Sequence, residues 1–150
     1  GQSINADTKV ISCKFNDSDP CSILDLTSAY SEKANSVKRS FRLTNGRSSA
    51  RIDDEIHLKS CDSTVYWFMH TKANIRIIDN TAAELILNGK RLRVNVSSDA
   101  NNTQLTGEKA EPFFDMGVNQ NSSNEDYQKL QIKISGSKDI NLSVSFVPLP

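Results

Sequence analysis

No stretch of this chain is apolar for long enough to cross a membrane as a helix. The longest run, Val65 to Met69, is strand-sized against the ~18 residues a span requires. Excess charge is missing too. Eighteen Lys and Arg face eighteen Asp and Glu with no basic tract or stripe, which leaves a nucleic-acid partner without electrostatic footing. Histidine is scarce, with only His57 and His70. There is no CxxC, no HxH and no Cys–His cluster at ligand spacing, so the expectation is no metal and no cofactor. A Gly-rich phosphate loop and a GxSxG elbow are both absent. Carboxylates are plentiful but unpatterned, and a catalytic pair among eighteen acids has no sequence signature.

The three cysteines are an odd number, which argues against a complete disulfide framework. Cys13 and Cys21 flank a turn-like NDSDP and could bridge in an oxidising compartment; free, buried or half-buried thiols are the other state. No signal-peptide pattern opens the chain. Gly1 reads as a cloning remnant, so that absence carries no information about export.

What is present is a β pattern. At 150 residues the chain suits one domain over 1–150, able to bury roughly 68–70% of its unfolded surface without a staple. Residues 1–8 are polar and expected to fray. Short strands are predicted at Lys9–Phe15 and Ser22–Leu26, then one helical turn within Thr27–Lys33. Val37, Arg39, Phe41 and Leu43 alternate with polar residues, as do Ile52, Asp54, Ile56 and Leu58 across the Asn45-Gly46 turn. Matching the apolar faces puts Phe41 opposite Ile52, Val37 opposite Ile56 and Arg39 opposite Asp54, a structural ion pair on the inward face.

The next strand, Thr64–His70, is apolar on both faces: Val65, Trp67 and Met69 on one, Tyr66, Phe68 and His70 on the other. Such a strand is expected to be central or covered. Ala73–Ile78 is a further strand. Asn88-Gly89 then marks a type I′ hairpin with Leu85 facing Leu92. Residues 97–124 read as a long loop region with hints of order at Thr103–Gly107 and Glu111–Phe114, Pro112 to Phe114 serving as an anchor. A last hairpin is expected to pair Leu130, Ile132 and Ile134 with Ile140, Leu142 and Val144 across Gly136-Ser137-Lys138. The whole predicts an all-β fold, an antiparallel β-sandwich of roughly nine or ten short strands.

Functional suspicion concentrates at the end of the doubly apolar strand. Trp67 is either core or a sugar-stacking ring. His70 is either half-buried against backbone or a contact to a sugar or neighbouring domain, with Tyr66 beside it. His57 belongs to a solvated acidic face.

Four segments in order carry a resemblance: DLTSAY (Asp25 to Tyr30), the strand led by Arg39, IDDEI (Ile52 to Ile56) and WFMHT (Trp67 to Thr71) followed by a hairpin. Over about residues 22 to 98 this resembles the C-terminal β-sandwich region of heparinase II/III-like polysaccharide lyases, including related alginate lyases. The resemblance implies a bacterial, exported protein, periplasmic or secreted, whose partner is an N-terminal α/α toroid catalytic domain missing from this chain. It implies a parent enzyme that cleaves uronic-acid-containing glycans, glycosaminoglycans among them, by β-elimination. The family's catalytic Tyr and His and its zinc ligands lie upstream of DLTSAY, so no catalytic residue is expected here. Of its functional positions only His70 has a candidate match, as a histidine reaching the substrate cleft. The implied role is therefore non-catalytic: the C-terminal sandwich of such a lyase, supporting the toroid and lining the cleft of an acidic polysaccharide, or a stand-alone relative of it. A carbohydrate-binding or adhesion module of an exported protein is the alternative, and it requires exposed, coplanar aromatics.

Overall fold

The computed structural model describes residues 2–3, 5–15, 18–110 and 126–150. These form eleven strands and one helical turn: β1 (Lys9–Lys14), β2 (Cys21–Asp25), α1 (Thr27–Tyr30), β3 (Ala34–Thr44), β4 (Ser49–Leu58), β5 (Val65–Thr71), β6 (Asn74–Asp79), β7 (Ala82–Leu87), β8 (Lys90–Ser98), β9 (Asn102–Lys109), β10 (Gln128–Ser135) and β11 (Asp139–Leu149). All pairings are antiparallel, in an eight-stranded sheet ordered β1-β2-β3-β4-β11-β8-β7-β6 and a three-stranded sheet ordered β5-β10-β9. The architecture is the expected all-β sandwich.

Alternation and turn chemistry set the two registers read from sequence. Val37 pairs with Ile56, Arg39 with Asp54 and Phe41 with Ile52. Leu85 pairs with Leu92 across Asn88 and Gly89, both at positive φ (51° and 75°) as a type I′ turn demands. The DLT segment locks the passage from β2 into β3. The Thr27 N–H donates to Asp25 Oδ1 at 2.9 Å, and the Val37 N–H donates to Thr27 Oγ1 at 3.0 Å. Bonds from Thr27 hold the Asp25 carboxyl below the usual carboxylate range. Leu26 and Tyr30 then lean onto the core. In this chain the motif is a joint.

One expected hairpin is corrected. β10 and β11 follow each other across Gly136 but do not pair: β10 is the middle of the small sheet and β11 sits between β4 and β8 in the large one. Their apolar rows, Leu130, Ile132 and Ile134 against Ile140, Leu142 and Val144, are buried in one core that joins the two layers. Residues 102–109, expected within a long loop, form β9, with Leu105 turned into that core. The suggested anchor at Pro112 to Phe114 lies outside the described residues. The expected frayed end makes contacts: the Ser3 N–H donates to the Ala29 carbonyl, and Gln2 Nε2 donates to Tyr30 Oη at 2.6 Å.

Three strands cannot cover eight. The sandwich closes on one side, where β6 approaches β9: the Ile75 N–H donates to Gln128 Oε1 at 2.9 Å, and a Cβ on Gly107 would fall 2.7 Å from Ile75 Cγ2. On the other side the large sheet overhangs. Phe41 and Leu43 continue the inward row of Val37 and Arg39 yet are exposed.

The three cysteines are free; Cys13 and Cys61 are exposed and Cys21 half-buried. Cys13 pairs with Ser22 and Lys14 with Cys21, so Cys13 and Cys21 stand one step out of register and point to opposite faces. No helix among the described residues is long and apolar enough to cross a membrane.

Candidate functional site

Strand β5 is the centre of interest because its sequence and its position disagree. A strand apolar on both faces was expected to be central or covered, but β5 is an edge of the small sheet. Val65, Trp67 and Met69 turn into the sandwich. Tyr66, Phe68 and His70 turn outward and are exposed, Tyr66 at 41% and Phe68 at 37%. Aromatic side chains with partly exposed rings are enriched where one protein surface meets another.

The register builds the rest of this face. Lys133 stands opposite Tyr66, Gln131 opposite Phe68 and Lys129 opposite His70; Gln104, Thr106 and Glu108 follow on β9. The Tyr66 and Phe68 rings stack with centroids 6.0 Å apart and planes 17° from parallel. Lys129 Nζ sits 5.1 Å from the Phe68 ring and 3.3 Å from Glu108 Oε1. Gln131 Nε2 donates to Thr106 Oγ1 at 3.4 Å. Chemically this is a pair of flat apolar rings rimmed by amide, hydroxyl and ammonium groups. It can stack on a ring and hydrogen-bond its edge, or receive another protein's surface.

The sequence-derived site residues divide between the two faces of β5. Tyr66 and His70 share the outward face. Trp67 is buried, 5% exposed, and the sugar-stacking role left open for it is excluded. Its ring instead carries the Arg39 guanidinium, 6.0 Å from the centroid, while its Nε1 has no hydrogen-bond partner among the described residues. Arg39 in turn grips Asp54 with two bonds, Nε to Oδ1 at 2.6 Å and Nη2 to Oδ2 at 2.7 Å. Asp54 is 2% exposed, Arg39 31%. Burial opposes the charge on Arg39, but Asp54 outweighs it and the guanidinium is held firmly protonated. The expected ion pair is therefore the seam between the sheets, linking β3 and β4 to β5.

Among the described residues no group of three or more His, Cys, Asp or Glu gathers so as to hold a metal ion. A groove of about 660 Å3 on the outer face of the large sheet is lined by Ile11, Ile23, Lys38, Asp53, Glu55 and Asp99, among others. Asp99 accepts from the Asn141 backbone N–H at 2.8 Å and from its side chain at 2.7 Å, which keeps it ionised below the usual range. With Asp53, Asp54, Glu55 and Asp99 against Lys38 and Arg39, that groove is a poor seat for an anion.

Phe68 and the β10 residues Lys129, Gln131 and Lys133 did not stand out in the sequence as site residues. The available signal was the Lys-Leu-Gln-Ile-Lys alternation of β10, which shows a polar face but not which strand lies beside it. Neither a protein-family model nor a curated protein matches the chain.

Proposed function

We propose that this chain is the non-catalytic β-sandwich part of a heparinase II/III-like polysaccharide lyase. In this reading it supports an α/α toroid that cleaves uronic-acid-containing glycans in an exported, periplasmic or secreted, enzyme. Two things support it: the four ordered segments, and the exposed Tyr66–Phe68–His70 face. The first observation carries the reading. In this reading the Tyr66–Phe68–His70 face lies toward the toroid, and His70 at the end of that strand contributes to a cleft wall. DLTSAY, Arg39 and the Asp54 strand then serve to hold β3, β4 and β5 in position behind that face.

The coding sequence immediately upstream of Gln2 tests this directly. A toroid with a lyase-type Tyr and His supports the reading, and an unrelated domain or a start codon overturns it. Release of unsaturated uronate from heparan or alginate by the 150-residue protein alone would sink its non-catalytic half.

The exposed Tyr66 and Phe68 rings also favour a second reading, a carbohydrate-binding module. That reading expects the isolated chain to retain oligosaccharides, and the Tyr66→Ala/Phe68→Ala pair to abolish retention while leaving the fold intact. The buried Trp67 cannot serve for this test.

A further inference from the structure

On the outer face of the large sheet, the side away from Tyr66, three guanidinium groups meet one carboxylate. Glu84 on β7 is 1% exposed, and its cover is Arg76 from β6 with Arg91 and Arg93 from β8. Arg76 Nη2 lies 2.5 Å from Oε2, Arg93 Nη2 2.9 Å from Oε1, and Arg91 Nη2 3.3 and 3.2 Å from Oε1 and Oε2. The register dictates the cluster: Arg76 and Arg93 stand directly across from Glu84 on its two sides. Hydrogen bonds from Arg76, then Arg91, hold the carboxyl below its usual range despite burial.

The cluster is over-supplied with charge. Three cations on one anion leave two positive charges, and Asp79 near Arg93 offsets at most one. It is over-supplied with donors too. A guanidinium has five N–H groups and a carboxylate about four acceptor sites, yet each of the three arginines reaches Glu84 through its Nη2 alone. Arg93 Nε is buried and has no partner among the described residues, while Arg76 and Arg91 are 60% and 44% exposed. Glu84 thus holds the guanidinium groups in place while their remaining edges stay available. An external oxyanion would find donors already oriented, which lowers the ordering cost of binding.

We propose that Arg76 and Arg91, set by Glu84, bind one anionic group of an acidic glycan, a carboxylate or a sulfate ester. The site is a single compact one in a chain of zero net charge, unlike the multi-phosphate contact that nucleic acid requires. Asn95 and Ser145, 3.4 Å apart, are the next residues along the same face and offer partners for sugar hydroxyls. The glycan identity rests on the proposed function; the anion site does not.

The test follows the guanidinium Nε–H resonances of the 150-residue protein at constant ionic strength. The probes are sodium sulfate, a heparin-derived tetrasaccharide, an unsulfated uronate tetrasaccharide, neutral maltotetraose and a short DNA duplex. The expected result is selective shifts of Arg76 and Arg91 with an acidic tetrasaccharide and none with maltotetraose. Affinity should fall about tenfold in Arg76→Gln and in Arg91→Gln. Arg76, exposed on an edge strand, gives the variant least able to disturb the fold. Unchanged affinity in both Arg variants, or no selective shift with any anion, overturns the site. Saturation by sulfate or DNA with no response to either acidic tetrasaccharide overturns the glycan assignment while the anion site stands.

Discussion

Replacing Arg39 by methionine leaves the Asp54 carboxylate, 2% exposed, without the two donors that satisfy it. Removing one member of a buried pair costs roughly 3–5 kcal/mol, because an uncompensated charge stays behind. Losing the cation over Trp67 adds about 0.5–1 kcal/mol, while the methionine stem keeps most of the packing. Asp54→Asn should be milder. Its amide oxygen still accepts one bond, and Arg39, 31% exposed, can turn a freed donor to water, so about 1–2 kcal/mol is expected. Urea unfolding followed by Trp67 fluorescence measures both, with m unchanged if only stability moved. The asymmetry should be about 3 kcal/mol, and the double variant Arg39→Met/Asp54→Leu should recover much of the loss. Equal costs, or a costlier Asp54→Asn, would show that the exposed Arg39 rather than the buried carboxylate governs the seam.

Two further outcomes follow from geometry. Gly107→Ala drives a methyl to 2.7 Å from Ile75 Cγ2, where β9 meets β6, and should cost about 1–3 kcal/mol; a drop below about 0.5 kcal/mol would mean that the two strands can separate at little cost. His57 bonds Asp139 at 2.7 Å and Glu55 at 3.1 Å, and these partners, Asp139 first, raise its pKa above the ordinary value. A raised folded-state pKa stabilises below the unfolded value of about 6.5 and fades as pH rises through the folded one, so the Tm advantage over His57→Gln should be present near pH 5.5 and lost by about pH 8. An advantage that instead grows with pH reverses the assigned linkage.

The registers of β3–β4 and β7–β8 were legible because alternation and an Asn-Gly turn each admit one solution, and Arg39 opposite Asp54 came with them. The same logic failed at Gly136. A turn between two alternating segments looks alike whether the flanking strands pair sideways or pass into opposite layers, since the apolar rows are buried in either case. β9 was only half visible because one inward residue, Leu105, does the work an alternating row usually does. The outward exposure of Tyr66 and Phe68 depends on how many strands the opposing layer has, and local pattern carries no such information. The Arg76–Glu84–Arg93 row was readable in principle. Once Leu85 faces Leu92, Glu84 must face Arg93.

The position of β11 also bears on the order in which the chain can assemble. This strand is central to the large sheet, pairing Ile140 with Ile56 and Val144 with Val96, yet it follows every other described strand in sequence. Until it emerges from the ribosome, the β1–β4 half and the β6–β8 half have no ladder joining them, and two interior edges stand open to water. Completion therefore waits on contacts far apart in sequence, which places such a domain among the slower folders, on the millisecond-to-second scale. Open edges during that wait are where mispairing with a second chain would start.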